Sequence, residues 1–143
     1  MISVRGFGLL FLATVFVVRE AGCNLRQNSK KSVPNHVGAV TALYELSKSK
    51  LGHAPSDEKE FKKAMQTVSV KPQNFKVDSF DELLISERDG QPLTVVYGPA
   101  AANSNFIVSE QTGVNGKRMV GLRTGIVEEM DDAQYKALTA LKR

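Results

Sequence analysis

The chain contains two histidines, the side chains that most often serve as metal ligands or as acid–base groups near neutral pH. Hydrophobic spacing predicts a helix that begins near His36 and ends just before His53. A rise of 1.5 Å per residue separates the two imidazoles by about 25 Å, so they cannot hold one metal ion together. A zinc site would also need carboxylates from elsewhere, because the chain has one cysteine. We therefore expect neither a metal site nor a cofactor.

Four carboxylates lie close together near the C-terminus, and paired carboxylates can act as acid and base. They are Glu128, Glu129, Asp131 and Asp132. The first two fit the end of a strand, and the last two fit a helix start, where the helix dipole favours negative charge. The sequence has no Gly-x-Ser-x-Gly nucleophile elbow. We expect no catalytic residue and a protein that is not an enzyme; a small hydrolase or ligand-binding enzyme is the least favoured alternative.

Residues 113–117 contain the glycines and the lysine of a phosphate loop, but they lack the Walker spacing and the helix that should follow. Their Asn115-Gly116 dipeptide is typical of a β-hairpin turn, which is the favoured interpretation. Residues 99–104 are small and are expected to form a loop between two strands, where a protein partner could bind. A loop without function is the alternative.

The first 22 residues have the composition of a secretory signal peptide. Arg5 supplies the positive charge, residues 6–18 are apolar, and Ala21-Gly22 provides small residues before a cleavage site. This apolar run is too short to span the hydrocarbon core of a bilayer, which takes about 20 residues. We therefore expect export, to the periplasm or the outer surface, without a transmembrane anchor.

Cys23 directly follows that segment. Ala21-Gly22-Cys23 resembles the end of a bacterial lipobox, in which the cysteine carries lipid, so lipidation of Cys23 and a lipid anchor in the membrane are one prediction. Glu20 stands where a lipobox has an aliphatic residue, and an ordinary free thiol is the alternative. Arg5-Gly6-Phe7 also resembles a type IV prepilin cleavage site, although Phe11 occupies the position of the pilin glutamate.

Basic residues are unevenly distributed along the chain. Residues 24–76 carry a net charge of +6, and residues 77–143 carry a net charge of −3. Lysines near an anionic leaflet contribute up to about 1 kcal/mol each, so one hypothesis places the basic half against the membrane. A solvated basic face is the alternative. We expect no nucleic-acid binding, because the lysines are dispersed and lack interleaved aromatic residues.

The polar residues 23–35 are expected to form a tether, and residues 36–143 a single domain. Helical spacing predicts a first helix over residues 36–51, with Thr41 exposed and Gly52 beyond its C-terminus. A second helix is expected to begin at Ser56 as its N-cap, and Ser79 to cap a short third helix. The predicted buried positions of these helices are Val37, Val40, Leu43, Tyr44, Leu46, Phe61, Ala64, Met65, Val68, Phe80, Leu83 and Leu84.

Beyond residue 90 the pattern changes to a period of two with tight turns, which is typical of strands. Strands are predicted over residues 93–97, 106–110, 117–122 and 126–130. Asp131 and Gln134 have the spacing of a capping box for a last helix, whose inner face is predicted to carry Tyr135, Leu138 and Leu141. N-terminal helices, a four-stranded antiparallel meander and a C-terminal helix make an α+β fold.

Two parts of this pattern resemble known bacterial proteins. Arg88-Asp89-Gly90-Gln91-Pro92 with Val95-Val96-Tyr97-Gly98 is similar to the Asp-Pro-Trp-Gly-x-Pro-Tyr segment of type II secretion pseudopilins. Residues 109–118 with Gly125-Ile126-Val127-Glu128 resemble small exported bacterial proteins and lipoproteins of unknown function. The resemblance implies a pseudopilin-like α+β domain and carries over no catalytic residue.

Taken together, these patterns favour an exported envelope protein that acts through contacts with a protein partner. The expected contact surface is an edge of the sheet, because an open edge can add a strand from a partner, or else the loop at residues 99–104. An assembly subunit related to pseudopilins is the second hypothesis.

Overall fold

The computed structural model describes residues 35–141; the predicted signal peptide, Cys23 and the tether up to residue 34 lie outside them. The first helix, α1, spans His36–Leu51, as predicted. The side chain of Asn35 caps it by accepting a hydrogen bond from the N–H of Gly38. Gly52 follows in the left-handed conformation at φ 78°, and its N–H donates to the carbonyl of Lys48, which ends the helix.

The second helix, α2, spans Glu58–Thr67. Its N-cap is Asp57, whose side chain accepts from the N–H of Glu60, so the prediction of Ser56 as the cap was wrong. Ser56 instead donates its hydroxyl and its backbone N–H to the Glu60 carboxylate. The predicted inner residues of α2 and its C-cap are all buried: Phe61, Ala64, Met65 and Val68.

Two short elements lead to the sheet. A 3-10 turn spans Pro72–Phe75, and helix α3 spans Phe80–Leu83, capped by Ser79 as predicted. Leu83 is buried, while Phe80 and Leu84 are half-buried against the same core. Helix α3 packs against α1 and α2, and α1 is the helix of these three that lies directly on the sheet.

Four strands form one antiparallel sheet in chain order: β1 (Thr94–Val95), β2 (Phe106–Ser109), β3 (Lys117–Leu122) and β4 (Val127–Asp131). The α+β architecture is therefore as predicted. β1 is shorter than the expected 93–97, because Tyr97 is the N-cap of helix α4 (Gly98–Asn103). Gly98 adopts φ 57° and Pro99 occupies the first turn, where its missing N–H costs nothing. The prediction of a loop over residues 99–104 was wrong.

Two burial predictions for α1 are wrong. Thr41, expected to be exposed, is buried, and its Oγ1 donates to the carbonyl of Val37 at 2.7 Å. It fits because its neighbour is Gly121, where a Cβ would lie 2.0 Å from Thr41 Oγ1. Leu46, expected to be buried, is 42% exposed and lies in a shallow depression beside Val68 and Val70.

The last helix, α5, spans Asp132–Ala140 and begins with the predicted Asp131–Gln134 capping box. It covers the face of the sheet opposite α1, because Met119 and Val120, adjacent on β3, belong to different cores. Phe106, Val120 and Met130 form the smaller core, with Tyr135 and Leu138 half-buried over them. Leu141 is 65% exposed, contrary to the prediction, because α5 ends one residue earlier.

The larger core lies between the sheet and the helices α1, α2 and α3. Ile107 and Val108 both join it, because the pairing of β2 with β3 shifts register between Phe106 and Val108. Within residues 35–141, no helix combines the length and apolarity that crossing a membrane requires.

Candidate functional site

One polar cluster lies between the loop that precedes β1 and the sheet, with two buried and two more exposed members. We call it the Glu110 cluster, and its members are Ser86, Arg88, Glu110 and Glu129. Ser86 and Arg88 belong to the loop, Glu110 directly follows β2, and Glu129 lies on β4. Glu110 is 1% exposed and Ser86 is 2% exposed. Because buried charged side chains are uncommon and need partners, this cluster is the first candidate for a functional site.

Both carboxylate oxygens of Glu110 are engaged within the protein. Oε1 accepts a hydrogen bond from Ser86 Oγ at 2.9 Å, and Oε2 accepts one from the backbone N–H of Met119 at 2.7 Å. Arg88 Nη1 lies 3.5 Å from Oε2 and supplies the compensating charge. Removing an unpaired carboxylate from water costs several kcal/mol, which these three contacts offset. The arrangement makes Glu110 an acceptor that joins the loop to β3.

The Ser86 hydroxyl also takes part in hydrogen bonds within the protein, both as donor and as acceptor. It donates to Glu110 and accepts from the backbone N–H groups of Arg88 at 3.1 Å and Asp89 at 3.4 Å. A serine nucleophile needs a base to take its proton and an open side toward the substrate. Ser86 instead organises the turn at residues 86–90, in which the N–H of Gly90 donates to the Ser86 carbonyl at 2.9 Å.

Asp89 ties the same turn to the hairpin between β2 and β3. Its Oδ1 accepts from the N–H of Gln91 at 3.0 Å, and its Oδ2 accepts from the N–H of Gly113 at 2.8 Å. Partial burial raises the pKa of the Asp89 carboxyl, but these backbone donors outweigh it, and the net pKa lies below its usual range. The turn at residues 86–90 therefore contacts β3 through Glu110 and the hairpin through Asp89.

Arg88 extends the cluster to the edge strand. Its Nη2 donates to Glu129 Oε1 at 2.9 Å, while Nη1 faces Glu110. Lys117 Nζ lies 4.0 Å from the other Glu129 oxygen. One guanidinium thus joins the loop, the end of β2 and β4, with its donors directed at two carboxylates.

The two histidines are bound to different elements. His36 begins α1, where its Nδ1 contacts the carbonyl of Ile85 and its backbone N–H donates to Glu87 at 2.7 Å. His53 follows α1, with its Nδ1 2.9 Å from the carbonyl of Ala54 and its Nε2 3.9 Å from a Glu60 oxygen. Neither is hydrogen-bonded to the Glu110 cluster in the described part of the chain. Residues 35–141 also contain no group of three or more His, Cys, Asp or Glu side chains arranged to hold a metal ion.

The four C-terminal carboxylates do not converge on one point. Glu129 pairs with Arg88, Asp131 caps α5, and Asp132 pairs with Arg118. Arg118 also lies 4.3 Å above the ring of Tyr135, which stabilises the start of α5 against β3. Glu128 is exposed and takes part in none of the ion pairs recorded for residues 35–141. These contacts agree with the interpretation of strand-end and helix-start residues.

Residues 113–117 form the predicted hairpin turn. Asn115 and Gly116 have φ values of 54° and 73°, and Val114 and Lys117 exchange both backbone hydrogen bonds. Gly113 is required here, because it adopts φ 74° and a Cβ would lie 2.1 Å from the Lys117 carbonyl oxygen. The Gly113 N–H donates to the Asp89 carboxylate, so this glycine-rich segment already binds an acceptor of the same chain.

A cleft of about 520 Å³ opens between α4 and the end of α5. Its walls are mainly apolar, from Val96, Phe106, Leu138 and Leu141, and Asn105 lines one side. The Asn105 side chain donates to the carbonyls of Leu138 and Leu141 at the open end of α5. Those bonds satisfy carbonyl groups at the end of α5, so the Asn105 side chain is already used within the protein. Asn103, Ser104 and Thr139 are the other polar residues that line the cleft.

The sequence predictions did not include the Glu110 cluster. One signal was present, because Glu110 directly follows the four-residue run Phe106–Ser109, all of which is buried. A charged residue that continues a buried strand needs a partner, but sequence spacing does not show that Ser86 and Arg88 supply it. That pairing depends on how the loop folds back onto the sheet.

No family model, characterised protein or solved structure matches this chain.

Proposed function

We propose that this protein is exported, acts in the cell envelope without catalysing a reaction, and works through contacts with a protein partner. Export is supported by the charge of Arg5, the apolar residues 6–18 and the small residues before Cys23. Lipid attachment at Cys23 would anchor it in the membrane, with the domain that begins at α1 outside the bilayer. The proposal requires no metal and no cofactor.

The Glu110 cluster is the observation that supports a role without catalysis. It is the place where a buried acid, a serine and an arginine meet, and the bonds of each are directed to other parts of the same domain. A catalytic acid or base must instead exchange a proton with a bound substrate. The cluster is better suited to holding the loop and the hairpin in one fixed shape for recognition.

The sheet edge supports a role through contacts. β4 is the last strand in the sheet order, and Glu128, Glu129 and Asp131 on it are exposed. Edge strands present backbone donors and acceptors that a partner strand can use. The alternative contact surface, residues 99–104, lies largely on α4. Ala101 of this helix is buried, whereas Ala100 and Ala102 are exposed.

Intact-mass analysis of the protein extracted from its own cells tests the proposal. Export as a lipoprotein predicts a chain that begins at Cys23 and carries the added mass of lipid. A pseudopilin-like assembly subunit, our second hypothesis, predicts a chain that begins at Phe7. A mass that contains all of residues 1–22 would contradict both models and, with a cytosolic location on fractionation, the proposed function itself.

A further inference from the structure

The outer side of β4 is open over the part of the chain that the structure describes. The N–H of Leu122 donates to the carbonyl of Ile126 at 2.8 Å, and Val120 pairs with Glu128 and Arg118 with Met130. Bonding alternates along an antiparallel pair, so Ile126, Glu128 and Met130 direct their backbone groups to β3. The backbone groups of Val127 and Glu129 therefore point away from the sheet.

The hydrogen bonds of β3 to β2 lead to the same assignment of inward and outward backbone groups on β4. Met119 pairs with Glu129, and both backbone groups of Met119 are directed to β2, where its carbonyl accepts from the N–H of Glu110 and its N–H donates to the Glu110 side chain. Met119 thus has no backbone group left for Glu129. The outward N–H and C=O groups of Val127 and Glu129 are what a further strand would bind, and we call them the β4 edge.

The opposite edge of the sheet is less suited to a partner. β1 contains two residues, Thr94 and Val95. The chain beside it is already bonded, because the N–H of Leu93 donates to the carbonyl of Leu84 at 2.7 Å and Ile85 forms a bridge with Pro92. β4 has five residues and no such cover among the described residues.

Charge at the β4 edge selects the kind of partner. Glu128 and Glu129 point to opposite faces of the strand, and Asp131 and Asp132 follow at its end. Arg88, Lys117 and Arg118 neutralise part of this charge through Glu129 and Asp132, which leaves Glu128 and Asp131 without a basic partner in the ion pairs of residues 35–141. A second copy would place these acids against one another, so self-pairing is unfavourable.

We propose that the β4 edge binds a basic, extended segment of a partner protein by strand addition. Val127 and Glu129 would bond its backbone, Glu128 would attract its lysines or arginines, and the exposed Ile126 offers an apolar contact at one end. This inference rests on the proposed function, since it names the surface and the partner chemistry through which that function operates.

The probe is a short blocked peptide of alternating lysine and threonine, added to the ¹⁵N-labelled full chain in mild detergent. Near saturation, amide exchange should slow about tenfold at Val127 and Glu129, while Glu128 and Met130, already bonded to β3, stay unchanged. Added salt should weaken binding. A glutamate-for-lysine peptide should not bind, and a peptide N-methylated on alternate amides should lose the exchange protection.

Two variants locate the site. Val127→Pro deletes the outward donor without removing a bond to β3, and it should abolish protection at Glu129. Glu128→Lys should weaken binding about tenfold by charge alone, whereas Asp78→Lys makes the same charge change between the 3-10 turn and α3 and should leave binding unaltered. Thermal unfolding checks that each variant is folded, and Glu128→Lys remains decisive if the proline variant is not.

Three results would overturn the inference. The peptide could fail to bind, it could bind without protecting Val127 and Glu129, or these amides could already be protected in a concentration-dependent dimer, which would assign the edge to a second copy. The mass analysis described above is independent of this titration. A processed, exported chain with an unresponsive β4 edge would reject only this inference, and an unprocessed cytosolic chain would reject the proposed function.

Discussion

At the scale of single residues, the buried side chains of Glu110 and Ser86 join distant parts of the domain. Glu110 accepts from Ser86 and Met119 and faces Arg88, so its loss would leave donors and a positive charge without their acceptor. Tyr44 is another buried polar side chain. Burial raises the pKa of its phenol to about 12, and its hydroxyl donates to the carbonyl of Val96 at 2.9 Å.

We predict that Glu110→Ala lowers the free energy of unfolding by about 3 kcal/mol or more, and Glu110→Gln by less. The glutamine retains one acceptor, whereas alanine leaves the Ser86 hydroxyl and the Met119 N–H unsatisfied. Urea unfolding followed by circular dichroism measures both. Glu128→Ala is the matched control and should change stability by about 0.5 kcal/mol or less. Equal effects at the two glutamates would show that the Glu110 cluster contributes little.

Asp89 makes the free energy of unfolding depend on pH. Its pKa is lower in the folded state than in the unfolded state, so its carboxylate stabilises the fold above the unfolded pKa. That contribution is lost as the pH falls through the folded pKa. We predict that Asp89→Asn is less stable than wild type near pH 7 and that the difference shrinks at acid pH. Unfolding curves over this range test it, with Asp78→Asn as an exposed control; a constant difference would argue against the shift.

At the scale of elements, contact between α1 and β3 decides how the two main layers meet. Gly121 has no Cβ, and Thr41 fills the space that a Cβ would need. The same contact explains why Thr41 is buried on a helix whose pattern predicts it to be exposed. Its hydroxyl donates a hydrogen bond to the Val37 carbonyl within α1, so no unsatisfied hydroxyl is buried in the core.

We predict that Gly121→Ala destabilises the protein by about 2–3 kcal/mol, because its Cβ would also lie 2.8 Å from Val108 Cγ1. Adding Thr41→Ala removes the closest atom and should recover about 1 kcal/mol relative to the sum of the single changes. Denaturant unfolding of the two single variants and the double variant measures the coupling. Strict additivity would mean that α1 and β3 can separate at little cost.

At the scale of the whole molecule, the basic half of the chain includes helices α1 and α2. Helix α2 buries Phe61, Ala64 and Met65 and therefore turns Lys59 and Lys63 outward. Lys62, beside them, is neutralised by Glu58 at 2.6 Å and Asp81 at 2.8 Å. The hypothesis that this half faces an anionic membrane thus depends on Lys59 and Lys63 more than on the net charge.

We predict that the protein dissociates from anionic vesicles as salt rises, since exposed charges are screened within about 10 Å at 0.1 M. Lys59→Glu with Lys63→Glu should weaken vesicle association by about thirtyfold or more, since each lysine near the surface contributes about 1 kcal/mol. Lys136→Glu on α5 is the control for a single charge change on the other face. Salt-independent association of all three proteins would leave the basic face simply solvated.

The α+β architecture follows from local patterns, but several contacts do not. The capping box at Asp131, the Asn115-Gly116 turn and the stripe on α2 depend on residues within a few positions of one another, so short-range rules predict them. Helix α4 was missed because a run of small residues fits a loop as well as a helix. The Glu110 cluster was missed because its members are up to 43 positions apart.

The amino-acid sequence by itself determined the order of the first three helices, the four strands and the last helix, the turns between the last three strands and the charge of each half of the chain. These depend on periodicity, glycine and local caps, which act over a few residues. Only the tertiary structure decided that Glu110 is bonded to Ser86, that Thr41 fits against Gly121 and that β4 is an open edge within residues 35–141. Those outcomes depend on which distant segments pack together, and buried polar groups are stable only where that packing supplies their partners.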